Sequence, residues 1–156
     1  MNNNLEAHGG KLINLMVDGE RAEALKTESK DFPSHSLSKR QLCDLELLLT
    51  GGFSPLSGFL GRDAYDSVVE KMRLPDGTLW PIPIVLDVPS SFAERLEPGQ
   101  KIALRDPEGF MPAVLTVEES WQPDKNREAQ AVYGMDSASH PGVRYLYDEV
   151  KETYIS

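Results

Sequence analysis

The hydrophobic period of this chain changes from helical to extended near residue 78, and that change most narrows the folds open to it. Before it, apolar residues recur every three or four positions. Leu42, Leu45, Leu48 and Leu49 line one face of a helix. Ser38 and Gln41 stand at the spacing of a capping box ahead of it, and Gly51-Gly52 closes it, since glycine takes the left-handed conformation without a Cβ penalty. Residues 61–73 repeat the pattern with Tyr65, Val68, Val69 and Met72 as the stripe, and Pro75-Asp76-Gly77 as the turn. After Thr78 the pattern is extended. Residues 80–88 are rich in β-branched side chains, and Pro81 and Pro83 confine such a strand to an edge or a bulge. Glu97-Pro98-Gly99 turns the chain into a hairpin, with strands over 101–105 and 110–118 around the loop Asp106-Pro107-Glu108-Gly109. Asp124 caps a helix that runs to Tyr133 and ends at Gly134, and His140-Pro141-Gly142 opens a last short helical or turn segment. Nearer the start, residues 1–10 read as a loose tail, residues 12–15 as a short strand and residues 18–30 as a surface helix. Helices first and strands after is not a βαβ alternation. The pattern predicts an α+β domain with a mixed sheet or half-barrel.

With 156 residues the chain matches about one domain, and a chain of this size holds a core without staples. A single cysteine excludes an internal disulfide framework. The apolar runs are far shorter than the roughly 20 residues a membrane helix needs, and Met1-Asn2-Asn3-Asn4 has none of the character of a signal peptide. The expected location is the cytoplasm. Sixteen Lys and Arg against 25 Asp and Glu give a net charge of −9, which weighs against nucleic acid as a partner and against long-range gathering of anions.

The chemistry-bearing residues form no site by spacing. His8, His35 and His140 are far apart, so neither zinc nor a general base is indicated, and His140 before Pro-Gly reads as a turn or capping residue. Gly9-Gly10-Lys11 lacks the upstream glycine of a phosphate loop, and Leu12 stands where Ser or Thr would meet Mg²⁺. Cys43, beside Leu42, reads as a buried helix residue without a local histidine to activate it. Asp44 with Glu46, and Asp63 with Asp66, are neighbours on solvated helix faces rather than carboxylates across a cleft. Arg40, Arg62, Arg105 and Arg144 read as ordinary solvated arginines.

One stretch is more specific. Residues 37–61, from Leu37-Ser38-Lys39-Arg40-Gln41 to Gly51-Gly52-Phe53-Ser54-Pro55-Leu56-Ser57-Gly58-Phe59-Leu60-Gly61, resemble the signature of ATP sulfurylase (sulfate adenylyltransferase), in its N-terminal PUA-like domain. The likeness takes in His8-Gly9-Gly10, Tyr65-Asp66-Ser67-Val68-Val69, Gly77-Thr78-Leu79-Trp80-Pro81-Ile82-Pro83-Ile84 and Leu86-Asp87-Val88. It continues through Arg105-Asp106, Ala113-Val114-Leu115-Thr116-Val117, Pro123-Asp124-Lys125 and His140-Pro141-Gly142-Val143. It therefore covers roughly residues 8–156.

The resemblance implies an α+β, PUA-like mixed-sheet or pseudo-barrel domain with short flanking helices over residues 11–156, after a flexible tail at 1–10. It also implies a place in sulfur metabolism. The family joins sulfate to the α-phosphorus of ATP, with Mg²⁺, and releases pyrophosphate. It does so on a following nucleotide-binding domain marked by Gln-x-Arg-Asn-Pro and His-x-Gly-His. Gln122-Pro123-Asp124-Lys125-Asn126 departs from the first pattern, and His140-Pro141-Gly142-Val143 departs from the second at its last position. No catalytic, cofactor-binding or metal residue is therefore carried over. The chain is expected to be a non-catalytic support domain, truncated or separately encoded, inactive alone and without a cofactor of its own, MgATP belonging to the full enzyme. The catalytic domain of ATP sulfurylase is its expected partner, homo-oligomerisation is open, and no membrane is involved. Two alternatives stand beside it: a free-standing PUA-like module for RNA or protein, and a regulatory partner of a full-length sulfurylase.

Overall fold

Local chemistry sets the helix ends. In the computed structural model, which describes residues 5–156, Ser38 Oγ accepts from the Gln41 N–H at 3.2 Å and Gln41 Oε1 accepts from the Ser38 N–H at 2.8 Å, so both halves of the capping box are made. Gly51 ends that helix at φ 87°, in the left-handed region its sequence position requires. In chain order the elements are α1 (Gly19–Glu28), β1 (Ser34–Ser36), α2 (Lys39–Thr50), α3 (Arg62–Lys71), β2 (Leu86–Val88) and α4 (Ser90–Ala93). They continue with β3 (Lys101–Arg105), β4 (Ala113–Thr116), β5 (Ser120–Trp121), α5 (Lys125–Tyr133), α6 (Pro141–Asp148) and β6 (Thr153–Ile155).

The chain divides into two compact units, each drawn from two stretches of sequence. The first holds residues up to Phe59 together with residues 101–116. Its sheet has the order β1-β3-β4, with β1 parallel to β3 and β3 antiparallel to β4. The expected hairpin forms with Leu104 opposite Ala113, its returning strand shortened from 110–118 to Ala113–Thr116, and Asp106 closes its loop by accepting from the Glu108 and Phe110 N–H groups. Leu37, Leu45, Leu48, Ile102, Ala103 and Leu104 are buried in this unit. Removing a leucine or isoleucine side chain from such a position costs about 2–5 kcal/mol.

The second unit holds residues 60–100 and 117–156. Its sheet has the order β2-β6-β5, all antiparallel, so the last strand in sequence is the middle strand in space. Tyr65, Val68 and Val69 of α3 are buried here, as are Leu86, Val88, Tyr154 and Ile155. A smaller cluster of Ala129, Val143 and Leu146 joins α5 to α6.

The α+β expectation holds: the strands form two separate three-stranded sheets, and among the described residues they close no barrel. Four local expectations need correction. Residues 12–15 form no strand; they are held singly, by Ile13 N–H on Ser54 Oγ and Leu15 N–H on the Leu49 carbonyl. Of residues 80–88 only Leu86–Val88 enters a ladder, at the sheet edge, since Pro81 and Pro83 have no N–H to give one. Met72 leaves the α3 stripe, since it is the left-handed C-cap at φ 53° and points to solvent. Cys43 is exposed rather than buried: two residues from both Gln41 and Leu45, it lies on the opposite face of α2. Of the expected tail over 1–10, residues 1–4 lie outside the described residues, and His8–Gly10 forms a short 3₁₀ turn.

Candidate functional site

The most concentrated polar chemistry lies inside the second unit. Glu128 sits in the first turns of α5, where a carboxylate suits the helix dipole, yet it is only 6% exposed. Its Oε2 accepts two hydroxyls, from Tyr65 of α3 at 2.8 Å and from Tyr154 of β6 at 3.0 Å. The two tyrosine rings and Trp121 form a triangle with centroids 5.6–5.8 Å apart and mostly edge-on packing. Burial first, and the Glu128 charge second, push both tyrosine hydroxyls well above the ordinary tyrosine range. Both remain protonated donors, so this arrangement is a clamp between three elements and not an acid–base pair.

Its neighbour repeats the clamp at the surface. Arg127 Nη1 donates to Asp66 and Nη2 to Glu70, each at 2.7 Å, spanning one turn of α3. The Asp66 carboxylate beside it raises the guanidinium further. Gly61, the N-cap of α3, has no side chain to offer. Glu119 supplies the missing acceptor from elsewhere in the chain, taking the Arg62 N–H at 2.7 Å. A Cβ at Gly61 would lie 2.7 Å from that same Glu119 oxygen, so a larger residue there would make the carboxylate shift. In the same unit, His140 caps α6 through Nδ1 and its ring lies 5.1 Å from that of Tyr133.

Two surface concavities complete the inventory. In the first unit, an apolar groove of about 310 Å³ is lined by Met16, Val17, Leu25, Phe110, Met111 and neighbouring residues. Phe110 is 64% exposed and Met16 63%. It offers mainly apolar contact, and Lys26 at its wall is paired with Glu23. In the second unit, an open polar cleft runs past Ser90, Gln122, Asp124, Lys125 and Tyr147. Its cation and phenol are engaged internally: Lys125 donates to the Val150 carbonyl and Tyr147 to Asn126.

The residues weighed from sequence are dispersed into local tasks. Gly9 meets Pro55: a Cβ there would lie 2.7 Å from the proline ring, so Gly9 serves a close approach within the protein. Asp44 pairs with Arg40 at 4.0 Å, and Asp66 belongs to Arg127. Arg105 donates to the Gly109 carbonyl and Arg144 to that of Ala138, each bracing its own loop. Glu28 is held below the usual carboxylate range by Arg21 and Lys101. Among the described residues no three His, Cys, Asp or Glu side chains converge as metal ligands, and no helix is long and apolar enough to cross a membrane. Sequence reasoning missed Glu128 entirely, because a glutamate early in a capped helix looks like an ordinary dipole partner.

The PUA-like domain family model matches residues 5–156. Over 151 residues the chain is 48% identical to the sulfate adenylyltransferase of Kluyveromyces lactis, covering 95% of this chain and 30% of that protein. It is 47% identical over 152 residues to the sulfate adenylyltransferase of Gibberella zeae, covering 95% of this chain and 26% of that one. A solved structure described as a hexameric APS kinase from Thiobacillus denitrificans superposes with a TM-score of 0.68 at 43% identity, over 76% of this chain and 24% of that chain. The chain thus spans less than a third of the length of these relatives, matching the N-terminal portion of sulfate adenylyltransferases and not their catalytic region. With a matched sequence from end to end of the described residues and a mixed α and β architecture to go with it, the chain belongs to the PUA-like domain family.

Proposed function

We propose that this chain serves as the non-catalytic support domain of a sulfate adenylyltransferase, in sulfur metabolism in the cytoplasm. The observation that carries the reading is the 48% identity over 95% of the chain to an enzyme of which it covers only 30%. The residues are consistent with support rather than turnover. Their strongest polar groups are spent on clamping helices and strands of the second unit together. MgATP, the nucleotidyl transfer and the oligomer contacts then belong to the remainder of such an enzyme and to its assembly.

Two measurements test this. The chain alone should release no pyrophosphate from ATP in a sulfate-dependent manner; measurable turnover overturns the assignment. A chimera in which this chain replaces the matching N-terminal region of the Kluyveromyces lactis enzyme should keep its turnover and assembly state. A folded chimera that has lost both would show that this chain does not supply the support.

A further inference from the structure

We propose that His140 is a proton-sensitive cap of α6: neutral, it holds the first turn of the helix, and protonated, it releases it. The geometry is specific. Nδ1 accepts from the Gly142 N–H at 3.1 Å, so its lone pair is committed and the ring proton resides on Nε2. Pro141 occupies the first helical position and has no N–H, which makes Gly142 the first backbone donor of α6 and His140 its acceptor. A second ring proton turns that acceptor into a donor aimed at another N–H. It also places positive charge at a helix N-terminus, where the dipole opposes it. The next contact, Arg144 N–H on the His140 carbonyl at 3.0 Å, does not involve the ring and survives.

The surroundings determine how far the change spreads. Tyr133 of α5 faces the imidazole ring, Arg144 of α6 lies one turn on with its side chain on the Ala138 carbonyl, and Asp136 lies in the preceding loop. A cation over the Tyr133 ring keeps its stacking partner. Val143 and Leu146 are buried and anchor the rest of the helix. The response is therefore confined to the first turn, where Gly142 gives the backbone the most freedom to leave the helix.

The test is a proton titration of the intact chain by NMR from about pH 8 to about pH 5, the range in which histidine side chains change charge. At the upper end the imidazole nitrogens should report the Nε2–H tautomer. As the ring takes its second proton, the Gly142 amide should shift on the same curve. Its exchange protection, corrected for intrinsic rate, should fall roughly tenfold, the scale of a lost cap. Leu146 protection should hold. His140→Asn keeps an acceptor that does not titrate, so the variant should retain the capped turn and lose the pH response, while His140→Ala should leave Gly142 unprotected at every pH. A Gly142 amide indifferent to the His140 titration, or a His140→Asn chain with the same response as the parent, overturns the proposal. The parent titration alone decides the matter if either variant fails to fold.

Discussion

Replacing Glu128 by leucine should be the most damaging single polar substitution in the second unit, and its cost can be worked from the contacts. The carboxylate oxygen Oε2 accepts from Tyr65 at 2.8 Å and Tyr154 at 3.0 Å, and both rings are almost wholly buried. Leucine is close in size but accepts nothing, so two hydroxyls lose their partner inside the protein. Each such group costs about 1–3 kcal/mol, which places Glu128→Leu at roughly 2–6 kcal/mol. Removing both hydroxyls instead, by Tyr65→Phe with Tyr154→Phe, deprives a buried charge of two donors and should cost about 3–5 kcal/mol. The triple variant leaves neither acceptor nor donors, so it should recover most of the loss. Urea unfolding followed by far-ultraviolet circular dichroism and by tryptophan fluorescence measures all of these. A Glu128→Leu cost below about 1 kcal/mol, or a triple variant no better than Glu128→Leu, would refute the claim that the clamp is one coupled unit.

The same tyrosines predict a loss of stability in alkali. Their folded-state ionisation is raised, so their contribution is complete below the ordinary tyrosine value of about 10 and declines above it, as the unfolded chain sheds protons that the folded chain retains. The slope should reach roughly 1.4 kcal/mol per pH unit for each tyrosine, and Tyr154→Phe should remove one share of it; identical slopes in parent and variant above about pH 10 would contradict the burial argument. At the surface of the same unit, Glu119→Ala removes the acceptor that Gly61 cannot provide. It should cost about 1 kcal/mol and expose the Arg62 amide to exchange. Unchanged protection of that amide would show that the cap carries no weight.

Much of this fold is legible because caps and turns are local. Ser38 with Gln41, Asp124 with Gly134, and His140 with Pro141 each mark a helix end through hydrogen bonds that reach no further than four residues, and every one forms where the residue types place it. Short turns behave alike: Gly77, Gly99 and Gly109 take positive φ after their Pro-Asp, Glu-Pro and Asp-Pro-Glu leads. Burial and strand pairing are different, because they depend on what arrives from far along the chain. Only the tertiary structure pairs His35 with Leu104, makes β6 the middle strand of its sheet and turns Cys43 outward. Glu128 is the sharpest case. Its neighbours in sequence present a solvated helix start, but Tyr65 and Tyr154, 63 and 26 residues away, turn it into a buried clamp. Sequence alone settled where helices begin and stop; the folded chain settled which polar groups leave water, because desolvation is decided by distant partners.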